Sequence, residues 1–153
     1  MLEQNIGIIY NTYMERIVLD TNVFISSLKS RRGASFRLLS LVGAGPFEIA
    51  LSVPLVLEYE EVAKRSGQSI ALSSEEIDAV IDYLCSTARL QDIYYLWRPL
   101  LKDIHDDHIL ELAVAAECVA IVTHNVKDFD KAEQFMINTL SPYEYLKRIG
   151  EIR

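Results

Sequence analysis

Short apolar runs alternate along this chain with longer stretches of helical periodicity. Ile17-Val18-Leu19 forms one run and ends at Asp20. Phe47-Glu48-Ile49-Ala50-Leu51 and Val119-Ala120-Ile121-Val122-Thr123 form two more, Phe135 to Leu140 a shorter one, and Asp92 to Leu96 a weaker candidate. Runs of this length without strict alternation read as strands covered on both faces, the habit of parallel sheets. The segments between them carry helix start signals. Ser73 with Glu76, and Ser141 with Pro142 and Glu144, have the spacing of capping boxes. Pro54 opens the helix after the second strand, and Gly43 and Gly45 close a helix running from about Ala34.

This order of strands and helices predicts an α/β fold with a parallel sheet between helices. In such a fold ligands bind beyond the carboxyl ends of the strands, so residues just after each strand share one edge of the molecule. No repeat, low-complexity stretch or linker divides the 153 residues. We expect one domain over residues 14–153, preceded by an extension at residues 1–13. Met14 would make a natural start, and the first residues lack the basic region of a signal peptide.

Composition changes the picture in two ways. Half of the residues are hydrophobic, as in a globular core, and no apolar run is long enough to span a membrane. The net charge is −7, which argues against a protein that coats nucleic acid non-specifically. Any nucleic-acid substrate must be bound locally. Cys85 and Cys118 lack zinc-site spacing and read as buried free thiols of a cytoplasmic protein.

The candidate chemistry lies at the strand ends. Asp20-Thr21-Asn22 follows the first strand, and Thr123-His124-Asn125, with Asp128 beyond it, follows a later one. Each cluster alone could be ordinary turn and cap residues. Asp106 and Asp107 open a helix expected over Asp107 to Glu117, with Ile109, Leu112, Ala113 and Ala116 on its buried face. One aspartate suffices as a cap, which leaves the second as a candidate ligand. In the Pro54 helix, Glu60 and Glu61 have Lys64 and Arg65 one turn on. Glu58 instead lies along an apolar stripe with Leu55 and Val62, where a carboxylate is costly unless a cation, or an arginine from elsewhere, meets it. Asp20, Glu58, Asp106 and Asp128 would repel one another at one sheet edge unless a divalent ion neutralised them. All-oxygen donors select Mg²⁺ or Mn²⁺. Such an ion acidifies water and stabilises charge on a phosphoryl oxygen, the needs of phosphodiester hydrolysis. Thr21, Asn22, Thr123 and Asn125 could hold the carboxylates in place.

Lys29, Arg31, Arg32 and Arg37 form a basic cluster that could meet phosphates, or simply be a solvated loop. His105, His108 and His124 neighbour the acids and read as rim residues, with a transition-metal site as the alternative. Tyr94, Tyr95 and Trp97 could stack on bases, but core or interface packing fits them better.

Ile17-Val18-Leu19-Asp20-Thr21-Asn22, Pro54 with Glu58 four residues on, Asp106 leading to Ala113, and Thr123-x-Asn125-x-x-Asp128-Phe129 together resemble the PIN domain family over about Met14 to Ile149. The likeness is to its VapC-like members, toxin components of toxin–antitoxin systems. The resemblance implies an α/β/α sandwich around a five-stranded, mostly parallel sheet, and a Mg²⁺- or Mn²⁺-dependent endoribonuclease acting on single-stranded RNA. It also implies a homodimer and an antitoxin that covers the site. Asp20, Glu58, Asp106 and Asp128 fall where the family's acids fall. Asn125 stands where some members carry a further aspartate, and Asp107 offers an alternative ligand beside Asp106.

Two other readings compete with a metal-dependent ribonuclease. One is a catalytically weak module that keeps the fold to bind RNA or protein, which the acidic charge and Asn125 favour. The other is a phosphatase of a doubly wound fold, which would place a second aspartate where Asn22 stands.

Overall fold

The computed structural model describes residues 14–65, 67–93, 101 and 103–153. Strand β1 (Glu15–Leu19) runs into helix α1 (Thr21–Lys29), followed by α2 (Ala34–Ser40). Next come β2 (Phe47–Leu51), α3 (Val53–Lys64), α4 (Ser74–Thr87) and the short β3 (Arg89–Leu90). A 3₁₀ turn at Ile104–Asp106 leads into α5 (Asp107–Ala115) and β4 (Ala120–Val122). A kinked 3₁₀ stretch (Val126–Phe135), β5 (Asn138–Leu140) and α6 (Pro142–Arg148) complete the chain.

The strands form one five-stranded sheet in the order β3-β2-β1-β4-β5, and every pair is parallel. Consecutive residues of a strand face opposite sides. Ile17, Val18 and Leu19 are nonetheless all at most 1% exposed, so both faces of β1 are covered, as its unbroken apolar run predicts. The chain first builds outward on one side of β1, then crosses to β4 on the other. The order therefore reverses at the β1–β4 pair, and a crevice opens beyond their carboxyl ends. Leu19 sits level with Val122, which brings Asp20 and Thr123 alongside each other.

Local signals seat the helices. The Ser73–Glu76 and Ser141–Glu144 capping boxes are both formed, and the Ser52 hydroxyl accepts from the Leu55 amide to start α3. Such caps stabilise by about 1 kcal/mol each. The buried Tyr59 ring stacks on Phe24 at 4.4 Å, and its hydroxyl donates to the Leu19 carbonyl. This pins α3, and with it Glu58, to the end of β1. Gly43 adopts φ +88° after α2, where the Tyr83 hydroxyl closes over the turn and donates to the Val42 carbonyl.

The structure corrects several boundaries. The third strand is Arg89–Leu90 rather than Asp92 to Leu96; Asp92 and Ile93 are not in a strand, and Tyr94 to Leu96 lie outside the described residues. This pair is exposed and only two residues long, so it has no apolar run to betray it. β5 begins at Asn138 because Met136 turns into the left-handed region at φ 60°. α5 ends at Ala115, and Glu117 takes φ 56° to turn the chain into β4. Cys118 is buried but Cys85 only half-buried; both are free thiols. The expected extension at residues 1–13 lies outside the described residues, as do Tyr95 and Trp97. Among the described residues no helix is long and apolar enough to cross a membrane.

Candidate active site

Asp20 is the N-cap of α1 and is 7% exposed. Its two carboxylate oxygens are separately held: Oδ1 accepts from the Thr21 amide at 2.8 Å and Oδ2 from the Thr123 hydroxyl at 2.7 Å. Thr123 is fully buried, and its hydroxyl also accepts from the Asn125 amide at 3.0 Å and Asn22 Nδ2 at 3.4 Å. Asn22 Oδ1 in turn accepts from the His124 amide at 3.2 Å. The two strand-end clusters are thus knitted into one network centred on the Asp20 carboxylate. Burial raises the pKa of Asp20, with the charge of Glu58 adding to it, while the hydrogen bonds from Thr123 and Thr21 pull against both.

Glu58 reaches this network from α3. Its Oε2 accepts from the Thr21 hydroxyl and lies 3.5 Å from His108 Nε2. Burial pushes the Glu58 carboxyl up, but the contacts with His108 and Thr21 outweigh it and hold the group below its ordinary range. The partner that meets Glu58 is therefore a histidine rather than an arginine. His108 is also not a rim residue: it is 9% exposed, because α5 is covered on every side from Asp107 to Ala113.

These groups face a cavity of about 570 Å³ at the sheet edge. Asp20, Thr21, Asn22, Glu58, Asp106, Asn125 and Asp128 line it, together with Asp103 and Lys29. Asp106 lies at the end of the 3₁₀ turn. Burial, then the charges of Asp20, Asp103, Asp128 and Glu58, push its carboxyl up to about 7. Four acids predicted from four separate segments therefore act on one another across one space.

The structure separates Asp106 from Asp107. Asp107 is 1% exposed and accepts from the Leu101 amide at 2.8 Å, so it ties the preceding loop to α5 and does not line the cavity. It also divides the basic cluster. Lys29 lines the acidic cavity, whereas Arg31, Arg32 and Arg37 line a second cleft, where Arg37 is paired with Glu151 at 3.3 Å. His105 and His124 are exposed, and His124 Nε2 contacts the Ser35 hydroxyl at 3.0 Å. Asp103 was not among the acids predicted. Its signal was the Asp103-Ile104-His105-Asp106 spacing, one turn from an acid already singled out.

The donor set is all oxygen, buried on one side and mutually repelling, and so fits a hard divalent cation. Among the described residues, no three Asp, Glu, His or Cys side chains are close enough to hold an ion as they stand; the acids ring the cavity instead. Asp20, Glu58, Asp106 and Asp128 are the groups that would draw in around it.

The sequence matches the PIN domain family over residues 16–127. No curated protein matches it. The structure is similar to a chain in the crystal structure of VapBC2 from Rickettsia felis bound to a DNA fragment from their promoter. That likeness has a TM-score of 0.56 at 18% identity and covers 81% of this chain and 98% of the other. At this identity it speaks to the fold.

Proposed function

Since the chain belongs to the PIN domain family, whose members are generally metal-dependent nucleases, we propose that it is a Mg²⁺- or Mn²⁺-dependent endoribonuclease that cleaves single-stranded RNA. The observation that carries this reading is the meeting of Asp20, Glu58, Asp106 and Asp128 around one cavity at the reversal point of the sheet. A divalent cation held there would acidify a water and offset charge on the scissile phosphate.

The chain's own residues prepare the ground for that ion. The Thr21 amide and Thr123 hydroxyl fix both oxygens of Asp20, so little is left to reorganise when a ligand arrives. Thr21 and His108 orient Glu58 in the same way. Asn22 and Asn125 hold Thr123 from behind. Lys29, on the cavity wall, supplies a positive charge for a phosphate entering an otherwise acidic site. We further infer that the protein acts in the cytoplasm as a homodimer and as the toxin of a toxin–antitoxin pair; the likeness to a VapBC2 chain supports an antitoxin partner.

The test is cleavage of a single-stranded RNA with Mn²⁺, comparing the parent with Asp20→Asn. Removing one charged ligand is expected to lower the rate at least about a hundredfold, the loss of several kcal/mol of charge stabilisation. Equal rates would sink the assignment. The second reading, a weak binding module, draws on Asn125 and on the open spacing of the acids. Calorimetry separates the two: a folded protein with no saturable Mg²⁺ or Mn²⁺ binding would leave only the module.

A further inference from the structure

The second cleft has a chemistry that the acidic cavity does not explain. It measures about 460 Å³ and is lined by Arg31, Arg32 and Arg37 together with Phe36, Tyr143 and Leu146. Arg16, Arg37, Arg65 and Arg148 are each paired with a glutamate. Arg31 and Arg32, both exposed, have, like Arg89 and Arg153, no carboxylate partner among the described residues. Two unpaired guanidinium groups side by side are unexpected in a chain of net charge −7, where carboxylates outnumber cations. Beside them the Tyr143 ring is 54% exposed.

The cleft and the acidic cavity are linked by a short stretch of chain. Lys29 lines the cavity and Arg31 the cleft, two residues on, which is at most about 7.6 Å of chain. Ser35, between cleft residues Ala34 and Phe36, touches His124, the neighbour of cavity residue Asn125. Lys29, Arg31 and Arg32 thus follow one another from the end of α1 into the α1–α2 turn.

Resting on the nuclease reading above, we propose that this cleft is an anchor for single-stranded RNA. Arg31 and Arg32 take two backbone phosphates outside the acidic cavity, and Tyr143 stacks on an unpaired base. Guanidinium forks match phosphate oxygens, and an exposed ring accepts any base face, so the anchor would add affinity without sequence preference. It also answers the charge problem: the acidic protein binds a polyanion through a short, unpaired basic strip rather than through its bulk charge. An acidic peptide would suit the arginines equally, but continuity with Lys29 and the cavity favours a strand that runs through both.

The test uses full-length Asp20→Asn protein, which spares the RNA, and fluorescent oligouridylates of twelve and three nucleotides. Arg31→Ala/Arg32→Ala in that background is expected to weaken the twelve-mer and to shrink its affinity advantage over the trinucleotide. The slope of log affinity against log salt should fall by about 1.4, or about 0.7 per lost phosphate contact on a single strand. Tyr143→Ala should weaken the twelve-mer about fivefold or more with no change in that slope, and Tyr143→Phe should restore it. Circular dichroism checks that each variant folds. A twelve-mer bound by the double variant with the parental slope overturns the anchor and leaves the nuclease reading standing. The same result combined with lost binding of a polyglutamate peptide reassigns the cleft to an acidic protein. If the parent binds no RNA of either length, the nuclease reading fails and takes the anchor with it.

Discussion

Asp106 is the residue on which charge repulsion falls hardest. Its carboxyl sits near 7, pushed up by burial and by the acids across the cavity. The native state therefore holds a proton that the unfolded chain releases between about pH 4 and 7. The stabilisation this proton gives is fully present below that window and is lost as the pH rises through it. The whole shift corresponds to about 4 kcal/mol, but solvent around a half-buried side chain reduces this to about 1–2 kcal/mol. Asp106→Asn should then raise the melting temperature of the metal-free protein by about 3–6 °C at pH 8, an advantage that shrinks as the pH falls from about 7 to 4. Comparing the two proteins isolates this group, because Glu58, held below its ordinary range, works in the opposite sense at low pH. A difference that stays constant across pH in a melting series would rule this account out.

At the scale of elements, the turn after α2 shows how much rests on one backbone conformation. Gly43 is at φ +88°, and a Cβ there would lie 2.6 Å from the Tyr83 hydroxyl on α4. Gly43→Ala should cost about 1–3 kcal/mol, from strain at positive φ and from displacing Tyr83. Urea unfolding would show it as a lower midpoint at unchanged slope; an unchanged midpoint would mean the turn relaxes freely. Legibility in the sequence divides along similar lines. Asp20 and Thr123 could be found because each follows an apolar run long enough to name its strand. Glu58 could be found because its helix neighbours are apolar. β3 could not, since an exposed Arg-Leu pair carries no pattern. His108 was misjudged because its surroundings depend on α5 being covered all round, and periodicity marks only one face. Asp107 and Asp106 are adjacent letters, and only the 3₁₀ turn between loop and helix sends their side chains to different tasks.

The whole molecule carries more negative than positive charge and concentrates part of the excess in one cavity. A divalent ion that binds there and not to the unfolded chain should stabilise the fold. At a hundred times its dissociation constant it adds about 2.7 kcal/mol, or about 5–10 °C in melting temperature. Differential scanning fluorimetry with Mn²⁺ should show this shift in the parent and lose it in Asp20→Asn. An equal shift in both proteins would place the ion elsewhere.

The contact between Asp20 and Thr123 spans 103 residues. Joining positions so far apart costs loop entropy that only the completed sheet repays, so this pair forms late in folding. A ribosome releases residues at about 5–20 per second, and a growing chain must reach β4 before Asp20 has its Thr123 partner. Fragments that stop before β4 therefore carry Asp20, Glu58 and Asp106 but lack Asp128 and the Thr123 hydroxyl that holds Asp20. The topology thus acts as a timer: the Asp20 carboxylate gains its Thr123 partner only once β4 has been made.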